Sequence, residues 1–154
     1  MLRVTKLTDY ATVVMTVLAA RQGAVLSSAE LAELADRAGL EATTVSKLLK
    51  PLAQAGLVDG LRGVHGGYRL ARPAEAIGLI DIVEAMEGPL AITECSQHHN
   101  QCGIAHQCGV RSNWRLINDV VADALRNVTL AQMLRPPLAD DPRRRPIAAH
   151  VVAN

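Results

Sequence analysis

The chain has 154 residues, a formal net charge of +1 and only 2% aromatic residues, with no phenylalanine at all. This length supports one compact domain with a few appended elements. A core without bulky rings has to be built from alanine and aliphatic residues, which favours closely packed helices. No apolar run approaches the roughly 18 residues of a membrane span, and polar residues interrupt the N-terminus where a secretory signal is apolar. We therefore expect a cytoplasmic protein with reduced thiols and no membrane partner.

Basic residues are concentrated in the first half of the chain. Residues 1–72 contain nine lysines and arginines against six acidic residues, whereas residues 73–154 contain seven against nine. A positive half is compatible with a nucleic-acid partner, but an excess this small does not single one out. The evidence for DNA binding therefore has to come from motifs.

The first half of the chain predicts a helix-turn-helix. Apolar side chains recur at helical spacing over residues 5–21. Ser27 and Glu30 then form the pattern of a capping box, in which each side chain satisfies a free backbone amide at the start of a helix. After a glycine-containing turn at residues 38–39, a third helix begins at about Glu41. Two helices joined by such a short turn are typical of DNA-binding proteins.

A hairpin and further helices follow. Two short apolar segments, residues 57–62 and 68–71, flank a glycine-rich link and predict a β-hairpin. A short helix is expected over residues 77–87 and a longer one from residue 111 to about 127. The fold is therefore predicted to be mainly helical with a small β-hairpin, a winged helix-turn-helix with a long C-terminal helix added.

The third helix is the candidate recognition helix, because its inward apolar stripe leaves polar side chains exposed near its start. Such residues can contact base edges and phosphates. The hairpin tip adds an arginine and a histidine that can enter a minor groove, and the start of the first helix adds two cations for phosphates. An ordinary solvated helix face remains the alternative. The candidate DNA contacts are Arg3, Lys6, Thr43, Thr44, Ser46, Lys47, Lys50, Arg62 and His65.

All three cysteines lie within fourteen residues, as Cys95-x6-Cys102-x5-Cys108, in a polar loop rich in histidine, glutamine and asparagine. Thiolates bind iron–sulfur clusters and zinc, whereas cysteines used for packing are usually scattered singly. Zinc sites commonly have closer cysteine pairs. The pattern therefore favours an iron–sulfur cluster, either 2Fe-2S or 4Fe-4S, with zinc and a non-metal role as alternatives.

The last predicted helix has an apolar stripe whose members alternate spacings of three and four residues. This is the seam of a coiled coil, which packs against a partner helix. The seam consists of Trp114, Ile117, Val121, Ala124 and Val128.

Taken together, these pieces resemble one bacterial family. The opening LRVTKLTDYA (residues 2–11), the wing RGVHGGY (residues 62–68) and the three-cysteine loop before a long helix are similar to the winged-helix iron–sulfur regulators, which include IscR, NsrR and the SUF-system assembly regulators. The stretch LTDYATVV (residues 7–14) is most similar to the SUF-system branch. The resemblance runs from residue 1 to about residue 134. It implies a homodimeric repressor that binds an operator in double-stranded DNA, senses cluster status and controls cluster-assembly genes.

The resemblance also assigns the cluster ligands to the three cysteines. In members that resemble IscR, a histidine three residues after the last cysteine completes the set, but Arg111 occupies that position here. In NsrR-like members an aspartate on the first helix of the partner subunit does so, and Asp9 occupies the matching place. A favourable interaction of Asp9 with the helix dipole is the alternative. Local competitors within the loop are Glu94, His98, His99 and His106.

The predicted organisation is a DNA-binding domain over residues 1–88, a cluster-binding loop over 89–109, a dimerisation helix region over 110–134 and a disordered tail over 135–154. The chain has no nucleophile elbow, phosphate loop or paired catalytic carboxylates, so we expect no enzyme. Three alternatives remain: a nitric-oxide-sensing repressor, an iron–sulfur electron carrier or metalloenzyme subunit, and a winged helix that binds a protein partner instead of DNA.

Overall fold

The computed structural model describes residues 3–96, 102–104 and 107–134, so the predicted disordered tail lies outside the described residues. None of the helices in this part is long and apolar enough to cross a bilayer. The elements are α1 (Lys6–Ala20), α2 (Ser28–Asp36), α3 (Ala42–Gln54), β1 (Val58–Leu61), β2 (Gly67–Leu70), α4 (Leu79–Glu87), α5 (Arg111–Arg126) and α6 (Leu130–Met133), with 3₁₀ turns at Ala74–Ala76 and Glu94–Ser96. A mainly helical fold with one hairpin is confirmed.

The helix-turn-helix forms where local signals place it. Ser27 caps α2: its amide donates to Oε2 of Glu30 at 2.9 Å, and its hydroxyl accepts the Glu30 amide at 3.2 Å. The predicted capping box is therefore present. Gly39 then adopts a φ of +79°, the left-handed region that favours glycine, and turns the chain into α3.

The core is aliphatic, as a chain without phenylalanine requires. Side chains spaced three and four residues apart on α1 and α3 face each other, because this spacing gathers them on one side of each helix. From α1 the buried apolar residues are Ala11, Val14, Met15, Leu18 and Ala19, and from α3 they are Val45, Leu48, Leu49 and Leu52. Because one face of α3 packs in the core, its opposite face is exposed to solvent.

The wing is tied to the linker between α1 and α2. Strands β1 and β2 pair antiparallel, with Val58 opposite Leu70, and Tyr68 on β2 also bridges Leu26 through backbone hydrogen bonds of 2.9 and 2.7 Å. A Cβ on Gly67 would lie 2.1 Å from the Leu26 carbonyl oxygen, so only glycine allows this approach. The wing is thereby held against the helical core.

The chain returns to the core after α5. Leu79 donates its amide to the Val128 carbonyl, and Leu130 donates its amide to the Ile77 carbonyl, both at 2.8 Å. These bonds flank a short antiparallel bridge next to α4. The Leu130 side chain is fully buried in the same core as α1 and α3. This return, together with α6, was not predicted, and it anchors the C-terminal end of α5.

Candidate nucleic-acid interface and cysteine loop

The candidate recognition helix α3 has one buried face and one exposed polar face. Ser46 donates its hydroxyl hydrogen to the Ala42 carbonyl at 3.1 Å, so this hydroxyl is engaged within the helix. Thr44 is half-buried, and the other predicted contacts on this face are exposed, namely Thr43, Ser46, Lys47 and Lys50. The helix therefore presents two lysines and a threonine hydroxyl that are accessible to DNA.

The wing tip projects Arg62 and His65, both exposed, beyond the two strands. Gly63 has a φ of +106°, and Gly66 donates its amide to the Gly63 carbonyl at 2.9 Å, which closes a tight turn. Val64 at this turn is 98% exposed, an apolar residue that the sequence motifs did not single out. The wing tip thus carries the cation Arg62 on a narrow turn, and both properties suit insertion into a DNA minor groove.

The two cations at the start of α1, Arg3 and Lys6, are exposed and line a cleft with Leu125 of α5 and Met133 of α6. The Lys6 Nζ atom lies 5.4 Å from the ring centroid of Tyr10, within cation–π range. A hydrogen bond to Tyr10 raises the pKa of Lys6 above its ordinary value, so this side chain stays charged. Contact of either cation with DNA phosphates stays a prediction.

A carboxylate from α4 caps the start of α1. Glu87, the last residue of α4, accepts the Thr8 hydroxyl at 2.5 Å and the Thr5 amide at 2.9 Å on the same oxygen. These hydrogen bonds hold the pKa of Glu87 below its ordinary value, with the Thr8 bond contributing most. Thr8 is the buried polar side chain of the described core. The next residue, Asp9, is exposed, so the predicted fourth ligand is accessible on the first turn of α1.

Motif reasoning missed Glu87, although one signal pointed to it. Thr8 falls on the buried stripe of α1, and a buried hydroxyl needs a hydrogen-bond partner.

The cysteine loop runs from the end of α4 to the start of α5. Its first part is attached to α5, because the Ile92 amide donates to Oδ1 of Asn118 at 3.1 Å. Cys95 lies in the 3₁₀ turn Glu94–Ser96, and its side chain is outside the described atoms. Cys102 and Cys108 are half-buried free thiols.

Among the described residues, no group of three or more histidine, cysteine or acidic side chains is gathered to hold a metal. Glu94 is exposed. The predicted competitors His98, His99 and His106 lie outside the described residues.

Arg111, the first residue of α5, lies directly beside the last cysteine. Its amide donates to the Cys108 carbonyl at 3.3 Å, and the two residues line one cavity of about 470 Å³. The Nε atom of Arg111 is buried and has no hydrogen-bond partner in the part of the chain that the structure describes. A buried cationic donor without an acceptor fits an anionic group bound at this place, such as a thiolate-ligated metal centre.

Most of the apolar stripe of α5 is exposed, and no residue of this helix is fully buried. Ile117 is 44% exposed, and Leu116 and Val120, which the predicted seam omitted, are 65% and 60% exposed. Of the remaining seam residues, Trp114 and Ala124 are exposed and Val121 is half-buried. Val128 is also exposed, but it lies beyond the end of α5 at Arg126. A row of exposed apolar side chains on one helix is the surface that a subunit interface covers.

The comparisons with known proteins agree with this architecture. The family described as "Rrf2: Iron-dependent Transcriptional regulator" matches residues 4–136. Protein aau3 of Rhizobium meliloti is 34% identical over 135 residues, which cover 87% of this chain and 86% of that protein. The HTH-type transcriptional regulator IscR of Vibrio campbellii is 30% identical over 105 residues, which cover 68% of this chain but only 62% of IscR, less than two thirds of its length.

Solved structures of two regulators have the same fold. CymR, the global cysteine regulator of B. subtilis, aligns with a TM-score of 0.66 at 29% identity, over 87% of this chain and 97% of CymR. IscR of T. potens aligns with a TM-score of 0.62 at 30% identity, over 86% of each chain. The predicted resemblance to IscR-like regulators is confirmed, and relatives named as transcriptional regulators agree with a chain that is not an enzyme. The winged helix, the cysteine loop and the long C-terminal helix thus occur in a chain that belongs to the Rrf2 family of transcriptional regulators.

Proposed function

We propose that this protein is a homodimeric repressor that senses iron–sulfur cluster status through its cysteine loop and controls SUF-type cluster-assembly genes. The observation that carries the proposal is the position of the loop. It follows directly on Glu87, which caps α1, and it leads into α5, which carries the exposed seam. A change in the loop therefore acts on α1, which belongs to the DNA-binding domain, and on α5, which is proposed to join two subunits.

Operator binding is assigned to α3 and the wing. In a dimer joined through α5, two copies of α3 have to match major grooves about 34 Å apart. The exposed side chains of Lys47 and Lys50 supply phosphate contacts, and Arg62 at the wing tip supplies a minor-groove contact. The affinity for an operator then depends on how the two subunits are oriented.

The cluster ligands are proposed to be Cys95, Cys102 and Cys108, with Asp9 of the partner subunit as the fourth. The free thiols of Cys102 and Cys108 and the buried Nε atom of Arg111, which has no acceptor among the described residues, support this assignment. When bound, an iron–sulfur cluster supplies a redox-active centre whose potential its surroundings adjust. Ligation by both subunits links the loop of one to the first turn of α1 in the other, so binding free energy becomes conformational free energy.

The test compares operator affinity with and without the cluster in the parent and in Cys102→Ser. The operator is selected from random DNA, and the protein is purified and reconstituted without oxygen. We expect the parent to show a visible absorption spectrum and a 5- to 150-fold difference in affinity, the range of about 1–3 kcal/mol of coupling. Cys102→Ser should lose both. A parent that stays colourless and iron-free after reconstitution contradicts the sensing function and leaves the DNA-binding regulator in place.

A second candidate is a regulator that works without a cluster. It is favoured by the similarity to CymR, which is named as a cysteine regulator. Such a protein would bind its operator with the same affinity whether or not it has been reconstituted. A nitric-oxide-sensing repressor, the variant within the proposed class, would instead release its operator when the reconstituted protein is exposed to nitric oxide.

A further inference from the structure

We infer that Arg111 is a positioning residue of the cluster site, whose Nε–H donates a hydrogen bond to a sulfur atom there and holds the cluster's reduction potential high. This inference rests on the proposed function. The observation behind it is the buried Nε atom, which has no acceptor among the described residues. Leaving a buried donor of a charged group unsatisfied is costly, so such a group indicates a missing acceptor.

The surroundings of Arg111 indicate which acceptor is missing. The cavity that it lines also contains Cys108 and a second arginine, Arg115, together with Asp119, Ser112 and Leu116. A sulfur-ligated cluster is anionic and offers sulfur acceptors, so it supplies the acceptor that the Nε atom of Arg111 lacks among the described residues.

A backbone hydrogen bond fixes Arg111 relative to Cys108, a proposed ligand of the cluster. Its amide is hydrogen-bonded to the carbonyl of Cys108 at 3.3 Å, so the cysteine and the arginine occupy one turn at the start of α5. Hydrogen bonds to cluster sulfurs and nearby positive charge both stabilise the reduced, more negative state. Arg111 therefore favours reduction of a bound cluster.

The first test measures the midpoint potential of reconstituted protein by an optical redox titration without oxygen. In Arg111→Met we expect the ratio of reduced to oxidised cluster at a given potential to fall about tenfold, which is about 59 mV for one electron. Arg111→Lys keeps the positive charge but not the planar guanidinium donor. Its midpoint potential should therefore lie between those of Arg111→Met and the parent. Arg126→Met is the matched control. It removes an exposed arginine about 22 Å further along α5, and its potential should equal the parent's.

The second test uses the protein without a cluster. Because Arg111→Met removes an unsatisfied buried donor, its melting temperature should equal or exceed that of the parent. A lower melting temperature shows that Nε has a partner within the protein and overturns the inference. An unmoved potential in Arg111→Met, or a parent-like potential in Arg111→Lys, overturns it as well while leaving the proposed function intact. A parent that takes up no cluster overturns both.

Discussion

The hydroxyl of Thr8 in α1 donates to Oε1 of Glu87 at the end of α4, across 2.5 Å, although 79 residues separate them in sequence. The same oxygen accepts the Thr5 amide at 2.9 Å. One carboxylate oxygen therefore joins the start of the first helix to the residue before the cysteine loop. Because Asp9 follows Thr8, this contact also fixes the proposed fourth ligand relative to the loop of its own subunit.

Removing the Thr8 hydroxyl should destabilise the fold. In Thr8→Val, which keeps the shape of the side chain, we expect the free energy of unfolding to fall by about 1–2 kcal/mol, because Glu87 loses a charge-assisted hydrogen bond. The measurement is urea unfolding of protein without a cluster. Thr16→Val is the matched control, since its hydroxyl bonds only to the Val13 carbonyl within α1. If Thr8→Val and Thr16→Val lose the same free energy of unfolding, the hydrogen bond to Glu87 contributes no more to stability than the one within α1.

The contact should also be visible in the pH dependence of stability. Because the pKa of Glu87 is lowered in the folded protein, the unfolded chain binds more protons as the pH falls. The contribution of Glu87 is fully present above its unfolded pKa, about 4.3, and is lost as the pH falls through its lower folded value. Glu87→Gln should therefore be less stable than the parent at pH 7, and the difference should shrink below about pH 4. A difference that stays constant from pH 7 to pH 3 would exclude this contribution.

The exposed stripe of α5 should hold two subunits together. Ile117→Glu places a charge in the centre of that stripe, so we expect a monomer at micromolar concentration with an unchanged helical circular dichroism spectrum. Analytical ultracentrifugation of protein without a cluster provides the measurement. Ser112→Glu adds the same charge at an exposed polar position of α5 and should leave the assembly of this cluster-free protein as in the parent. A dimer that survives Ile117→Glu would place the interface elsewhere.

Lys47 on the exposed face of α3 should contact a phosphate. Lys47→Ala should weaken binding to specific and non-specific DNA alike, and it should reduce the slope of log affinity against log salt by about 1 per subunit. Fluorescence anisotropy at several salt concentrations measures both quantities. Arg37→Ala on α2 serves as the control, because this exposed arginine is paired with Glu33. The phosphate assignment fails when both variants show the same slope as the parent.

Local patterns predicted the elements of this fold, whereas contacts between distant residues stayed hidden. The capping box of Ser27 and Glu30 and the buried stripe of α3 depend on neighbours within one or two turns, so periodicity and spacing reveal them. The bridge between Leu26 and Tyr68 and the return of Leu130 depend on which segments meet in three dimensions. Local sequence patterns do not show which of these distant segments are in contact.

The candidate sites divide in the same way. Cysteine spacing pointed to a metal loop, and relatives such as IscR were recognisable from motifs, but the partner of Glu87 and the buried Nε of Arg111 depend on tertiary packing. The five-residue seam was predicted from heptad spacing alone. That rule omitted Leu116 and Val120, whose exposure is a property of how α5 sits on α4.

Attachment of α5 at its middle and beyond its end limits the motion that this protein can use. In the middle of α5, Asn118 is bonded to Ile92, and beyond the end of the helix Val128 and Leu130 are bonded to the segment that opens α4. Tilting α5 within its own subunit would break these bonds and expose the buried Leu130. In the proposed dimer we therefore expect each subunit to turn as one piece, so that a signal would change the angle between the two subunits.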